Sequence, residues 1–351
     1  MVTIREIAEI SGVSKSTVSR VLNNTGYVSQ PVRDKVKAVI KKYSYSPSAV
    51  AVNLSKRETN VIGVIVPELD NTFFGEVLKG ITEIGDQKGY SIICADTANN
   101  AEKENRALKM LEQQRVRGLI ITPAQEYSNP EDVKRLKECF ERLGVPIVVV
   151  DRHFEKIHLD GVYYENYDSG YMAAQELIKA DNKNLGIITG DLGLRIARDR
   201  FKGFCNAVID AGLEINEQFI YKGDFSINTS YVLSKDIFSN AVLPDGIVTS
   251  NNLTSLGFLK AAREYGATIG KDIAVIGIDN IELLDILGYN FSCVTRDTCE
   301  MGRVAMRLLS ARMENEITQL TKLTIPCQLI LKGSERRLPL KTLHCTEPIP
   351  R

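Results

Sequence analysis

Three things are scarce in this chain of 351 residues: paired cysteines, histidine and long apolar runs. The seven cysteines, at 94, 139, 205, 293, 299, 327 and 345, are odd in number and scattered. No CxxC pair occurs and only three histidines are present. Neither a disulfide framework nor a zinc site is supported, and buried reduced thiols are expected. The longest apolar runs, such as VIGVIVP (61–67) and PIVVV (146–150), fall far short of the ~20 residues that a membrane span needs. The opening MVTIREIAEI has charges where a signal peptide would have an apolar run, which predicts a cytoplasmic protein with no membrane contact. There is no GxSxG elbow, no Walker loop and no HExxH. The expectation is therefore a non-enzyme with no cofactor and no metal.

Net charge is also missing, but the zero total hides an asymmetry. Residues 1–60 hold ten Lys/Arg against four Asp/Glu, whereas the remaining 291 residues hold 34 against 40: +6 on one part and −6 on the other. A basic piece on an acidic body suggests that the small piece meets a polyanion. The length itself predicts two or three domains.

The basic piece reads as three short helices. Thr3-x-x-Glu6 is a capping-box pattern, with Ile4, Ile7 and Ala8 then on one face. Ser11-Gly12-Val13 breaks that helix, and Ser14 can cap a second over 15–23. Ser29-Gln30-Pro31 starts a third, with Val32, Val36, Val39 and Ile40 inward. The second helix is unusual. Val18, Val21 and Leu22 form an inner face, yet Ser14, Ser16, Thr17 and Ser19 crowd the rest beside Lys15 and Arg20. Hydroxyl side chains compete for backbone hydrogen bonds inside a helix, so a purely structural helix rarely selects so many. Helix, tight turn and helix form a helix-turn-helix unit, whose second helix lies in the DNA major groove. Arg and Lys can donate to guanine O6 and N7, and Ser and Thr can serve bases or phosphates.

From Asn60 the pattern changes. Short Val/Ile-rich runs at 61–67, 90–96, 118–123, 146–151, 185–190, 246–251 and 273–279 alternate with amphipathic stretches. Helices are expected over 74–88, 102–115, 168–179, 199–211, 228–239 and 253–265. Such runs suit strands buried on both faces of a parallel sheet, and the alternation predicts a doubly wound α/β body. About 275 residues is large for one sheet, so two similar lobes are expected. Ligands of such sheets sit beyond the carboxyl ends of the strands. Here those ends are polar and aromatic, in the manner of a sugar-binding cleft.

The stretch TIREIAEISGVSKSTVSRVLNN…YVSQPVRDKVKAVIKKYSYSPSAVAVNLS resembles the start of LacI-family transcription regulators. The resemblance continues through IGVIVPELDNTFFGEVLKGI, RVRGLIITP, RDRFKGF, IAVIGIDNIEL and EMGRVAMRLL, and covers roughly 1–335. It implies an N-terminal all-α helix-turn-helix domain at 1–47 and a hinge helix at 48–59. It implies an α/β two-lobed, periplasmic-binding-protein-like body at 60–335, followed by a tail at 336–351. The lobes are expected at roughly 60–160 plus 292–322 and 161–291 plus 323–335.

The resemblance also implies residue roles. Lys15, Ser16 and Arg20 would read bases, and Thr17 and Ser19 would touch phosphate. Leu54 would wedge into the minor groove at the operator centre, where partial unstacking costs a few kcal/mol and is offset by the bend. The usual Ala-Arg-Ser-Leu is Ala51-Val52-Asn53-Leu54 here, without its arginine. The implied effector pocket is Phe73, Phe74, Asp151, Arg200, Phe225, Asn251 and Asp279, with Asn252 where many members have Asp. Arg195 and Arg198 are either extra cations favouring an acidic or phosphorylated sugar, or ion-paired surface arginines. The implied partners are a double-stranded DNA operator, a small-molecule effector (sugar, sugar acid or sugar phosphate) and a second copy in a homodimer. The expected function is repression of a carbohydrate-utilisation operon, relieved by the effector. Activation, dependence on a corepressor, or a sugar-binding transport role are the alternatives.

Overall fold

The computed structural model describes residues 2–45 and 59–337. These fall into two units, Met1–Asn60 and Val61–Arg351. The hinge segment with Leu54, and the tail beyond 337, lie outside the described residues.

In the first unit, helices α1 (Ile4–Ser11) and α2 (Lys15–Asn23) form with the expected side-chain caps, and α3 (Gln30–Lys42) without one at Ser29. Thr3 and Glu6 close a full capping box: the Thr3 N–H donates to Glu6 Oε2 at 2.7 Å and the Glu6 N–H to Thr3 Oγ1 at 3.3 Å. Gly12 ends α1 at φ +66°, a backbone that costs glycine no Cβ clash. Ser14 caps α2 by accepting the Thr17 N–H at 3.2 Å. Pro31 sits in the first turn of α3, where its missing N–H is not needed. Ile7, Ala8, Val18, Val21 and Val36 are buried, with Val13, Leu22, Val32, Val39 and Ile40 packed around them. Each fully buried aliphatic side chain contributes about 1.5–3 kcal/mol, so this small core is adequate but thin.

The body holds two six-stranded sheets. The first contains β1 (Val61–Val66), β2 (Ser91–Asp96), β3 (Gly118–Ile121), β4 (Ile147–Val150), β5 (Asp160–Tyr164) and the late strand β11 (Lys322–Ile325). Its order is β11-β5-β4-β3-β1-β2, all pairs parallel. The second contains β6 (Leu185–Ile188), β7 (Ile220–Tyr221), β8 (Gly246–Thr249), β9 (Ala274–Ile278), β10 (Cys293–Thr295) and β12 (Gln328–Ile330). Its order is β12-β10-β9-β8-β6-β7, parallel except for the β10–β12 pair. The Val/Ile runs became strands buried on both sides, as their lack of alternation requires, except 90–96, which forms the half-exposed edge strand β2.

Helices α4 (Thr72–Gln87) and α12 (Thr298–Met313) cover one face of the first sheet, and α5 (Ala101–Gln114) and α6 (Pro130–Leu143) the other. On the second sheet, α7 (Asn166–Lys179) and α8 (Arg195–Asp210) face α9 (Ile227–Ser239), α10 (Asn252–Glu264) and the short α11 (Glu282–Ile286) across the strands. Glycines allow the closest helix pairs. A Cβ at Gly80 of α4 would stand 1.9 Å from the Cys299 carbonyl oxygen of α12. A Cβ at Gly170 of α7 would stand 1.9 Å from the Arg200 carbonyl oxygen of α8.

Three details refine these expectations. The chain crosses between sheets after β5, β10 and β11, a few residues later than boundaries at 160, 291 and 322 would put it. The reason is that β5 and β10 are short strands one in from the sheet edge, each flanked by a late strand, with little apolar signal. The six described cysteines are free but mostly half-buried: Cys293 is buried, while Cys94, Cys139, Cys205, Cys299 and Cys327 are intermediate. The sheets are parallel save for the β10–β12 edge pair, because β12 returns directly beside β10.

Candidate functional sites

On α2, Lys15, Ser16 and Arg20 are exposed and Thr17 and Ser19 are half-buried. Val18 and Val21 point to the core and turn that polar row outward. The hydroxyls near the N-terminus share a local network: Ser14 Oγ lies 2.7 Å from Ser16 Oγ and 2.9 Å from Thr17 Oγ1. Arg20 runs beside Gly26, with its Cδ and Nε 3.5 Å from where a Cβ would be. The opening residues of an exposed, basic, hydroxyl-rich second helix form a surface suited to base edges and phosphates.

In the body, a cavity of about 390 Å³ lies where the carboxyl ends of both sheets meet. All seven expected effector residues line it: Phe73, Phe74, Asp151, Arg200, Phe225, Asn251 and Asp279. Three of them, Asp151 (φ +63°), Phe225 (φ +70°) and Asp279 (φ +76°), hold left-handed backbone without being glycine. Such strain is held only where surrounding structure enforces it, and it clusters at binding sites. The bulky Phe225 is the extreme case, and Gly190 makes room for it: a Cβ there would fall 2.0 Å from the ring.

Each polar group is set from below. Gly170 lets α8 approach α7, so Arg200 Nε reaches Asn166 Oδ1 at 2.9 Å while Nη1 donates to the Ser250 carbonyl at 2.6 Å. The guanidinium lies 5.5 Å over the Phe225 ring. Burial, and then the charge of Arg296, pull Arg200 down to about 10, so it stays a cation at neutral pH. Asn251 caps α10, accepting the Thr254 N–H at 2.7 Å, and donates to the Phe225 carbonyl at 3.2 Å. Asn252 reaches across to the first lobe, donating to Asn71 Oδ1 and Thr72 Oγ1, each at 3.0 Å.

The residue that sequence reasoning missed is Arg296, just beyond β10. It is buried and lies 4.6 Å over the Phe73 ring and 4.8 Å over that of Tyr164. Its Nη2 meets Asp279 Oδ1 at 2.5 Å and its Nε at 2.7 Å. Burial works against this cation, but Asp279 and Asp151 outweigh it and hold Arg296 above the ordinary arginine value. Arg152 was also missed; it donates to Asn99 Oδ1 at 2.8 Å and to the Pro123 carbonyl at 3.0 Å. Neither arginine had a local signal, because each is defined by partners far along the chain. Asp151 Oδ1 and Arg296 Nη1 stand 3.6 Å apart in the cavity wall, buried and without a hydrogen-bond partner.

Arg195 and Arg198 do not line the cavity. Arg195 pairs with Asp199 at 3.3 Å, and Arg198 with Glu126 at 3.4 Å and Glu155 at 3.8 Å. Of the two readings open for them, ion-paired surface arginines is the correct one. No group of residues able to hold a metal occurs among those described, and no described helix is long and apolar enough to cross a membrane.

A helix-turn-helix unit joined to a two-lobed body with a polar interlobe cleft defines a ligand-responsive DNA-binding regulator. Residues 3–48 match the model of bacterial regulatory proteins of the lacI family, and residues 59–332 that of periplasmic binding proteins and the sugar-binding domain of the LacI family. The chain is 31% identical over 340 residues to the HTH-type transcriptional repressor PurR of Actinobacillus pleuropneumoniae, covering 96% of this chain and 99% of that one. It is 29% identical to the ribose operon repressor of Haemophilus influenzae, covering 95% and 98%. A solved lac repressor dimer, bound to operator and an anti-inducer, shares the fold with a TM-score of 0.85 at 23% identity, over 95% of this chain and 99% of that one. This chain belongs to the LacI family of DNA-binding transcriptional regulators.

Proposed function

We propose that this regulator is a repressor of carbohydrate use, and that a sugar-type effector bound in the interlobe cleft releases it from DNA. It acts by binding and not by catalysis. Lys15, Ser16 and Arg20 read base edges, Thr17 and Ser19 hold phosphates, and Leu54, outside the described residues, is the minor-groove wedge. Phe73, Phe74, Asp151, Arg200, Phe225, Asn251 and Asp279 hold the effector, with Arg296 added to them.

The observation that carries the effector reading is the buried ion pair of Asp151 Oδ1 and Arg296 Nη1, 3.6 Å apart in the cavity, neither atom of which has a hydrogen-bond partner. A buried polar atom without a partner costs about 1–3 kcal/mol, and a ligand that bonds to both recovers it. The functional unit is a homodimer, which places two α2 helices on two half-sites. Supporting this, α11 and its flank expose Leu283, Ile286, Leu287 and Tyr289, a run of neighbouring apolar side chains of the kind that marks an interaction site. The effector prefers one lobe arrangement, and only that differential affinity can shift operator binding.

The test is Asp151→Asn, whose carboxylate makes no hydrogen bond within the protein through Oδ1. Operator affinity, read by fluorescence anisotropy, should stay at the parent value. The effector concentration that halves operator binding should rise at least roughly tenfold, since a hydrogen bond to a charged group is lost. An unchanged effector response in this variant would remove the cleft from the mechanism.

A further inference from the structure

We infer that the cleft takes an uncharged, polyhydroxylated ligand, a neutral mono- or disaccharide, and rejects phosphorylated or carboxylated counterparts. This rests on the effector reading above and narrows its ligand class.

Five carboxylates line the cavity, Glu68, Asp151, Asp191, Asp224 and Asp279, against three arginines. Those arginines are already engaged. Arg200 serves Asn166 and the Ser250 carbonyl, and Arg296 serves Asp279. Arg152 serves Asn99 and two carbonyls, those of Pro123 and Ala124. Its free Nε sits in the field of Asp151, Glu68, Glu104 and Asp191. An anion entering this space meets five carboxylates against three arginines, of whose buried nitrogens only Arg152 Nε and Arg296 Nη1 lack a hydrogen-bond partner.

The other usual home for a phosphate is a helix N-terminus. Helices α4, α8, α9 and α10 begin at the cleft, and each start is filled by a protein side chain, Ser226 Oγ accepting the Thr229 N–H of α9 at 3.2 Å. Asn71 Oδ1 accepts the Phe73 N–H of α4 at 3.0 Å, and Asn251 Oδ1 accepts the Thr254 N–H of α10 at 2.7 Å. At α8 the occupant comes from the opposite lobe. Glu126 takes the Arg195 N–H with one oxygen and meets Arg198 at 3.4 Å with the other. A carboxylate already sits where a phosphate would bind.

What remains unmet fits a hydroxyl. A hydroxyl accepts from Arg296 Nη1 and donates to Asp151 Oδ1 at once, whereas a fully ionised phosphate or carboxylate can only accept. Phe73 and Phe225 supply apolar wall for the C–H faces of a sugar ring.

The experiment uses the full-length protein in isothermal calorimetry and thermal shift. The probes are D-ribose, D-glucose, D-galactose and cellobiose, with ribose 5-phosphate, glucose 6-phosphate, gluconate and the purine base hypoxanthine as counter-probes. At least one neutral sugar should raise the melting temperature by mass action. Its charged counterpart should bind at least roughly 100-fold more weakly, as like-charge juxtaposition demands. In Glu126→Gln, which lowers the charge at the start of α8, that gap should narrow. An unchanged gap in the variant would overturn the part assigned to Glu126. An anion or hypoxanthine binding as well as the best neutral sugar would overturn the inference and leave the effector reading standing. A panel in which nothing raises the melting temperature would remove the effector reading itself, and this one with it.

Discussion

The DNA-reading unit and the body are organised at different ranges along the chain. In the first, Thr3 and Glu6, then Ser14 and Thr17, set helix starts through partners three residues apart. In the second, the bonds that shape the cleft join residues far apart in the chain. Tyr164 donates to the Asp297 carbonyl at 2.6 Å, Asn252 reaches Asn71 at 3.0 Å, and Arg152 reaches Asn99 at 2.8 Å. The charges differ likewise: the small unit leaves Lys15 and Arg20 exposed for a polyanion, while the body buries its cations against its own carboxylates. A reader of DNA needs accessible charge, whereas a selective cleft needs charge already neutralised and fixed in place.

The strongest way to sharpen that contrast is Arg296→Met. It leaves Asp279 and Asp151 buried without their cation, which should destabilise the body by about 3–5 kcal/mol. Urea unfolding followed by circular dichroism measures it, and a loss below ~1 kcal/mol would contradict the buried pairing. Arg20→Ala acts on the other side of the comparison. It should weaken operator binding by about 1–3 kcal/mol while the neutral-sugar affinity of the body stays put. A matching loss of sugar binding would mean that the two units are not separable in this way.

Smaller still is Ser14→Ala, which removes the α2 cap and should cost the N-terminal unit about 1 kcal/mol. No change in thermal unfolding of that unit would show that the cap hydrogen bond is replaced by solvent. The least effect is expected from pH. His153 is half-buried, stacked 3.7 Å from the Tyr163 ring, and burial, then Arg195 and Lys322, push it from 6.5 down to about 4. Because its folded value is depressed, its contribution is fully present above pH 6.5 and is lost as pH falls toward 4. After discounting for solvent screening, this amounts to about 1 kcal/mol or less. His153→Gln should flatten stability over that window, and an equally steep acid limb in the variant would rule His153 out as its source.

Legibility followed the same division. The caps and the apolar spacing of α1 to α3 could be read because they act within a turn or two. The strong strands β1, β3, β4, β6, β8 and β9 were legible as uninterrupted Val/Ile runs. The edge strands β7, β11 and β12, with β10 beside β12, are only two to four residues long, and their pairing depends on neighbours elsewhere in the chain. The seven cleft residues were found through family resemblance, while Arg296, Arg152 and the Glu126 cap on α8 were not, since nothing near them in sequence marks their role.

The order of residues alone determined a basic helix-turn-helix ahead of an acidic, parallel α/β body, because hydrophobic period, caps and charge are local quantities. Only the folded body decided where the lobes exchange chain, which arginines are spent on protein carboxylates, and which cleft atoms stay without a hydrogen bond. Those outcomes depend on distances between residues far apart in the chain, which are set when the two sheets close on one another.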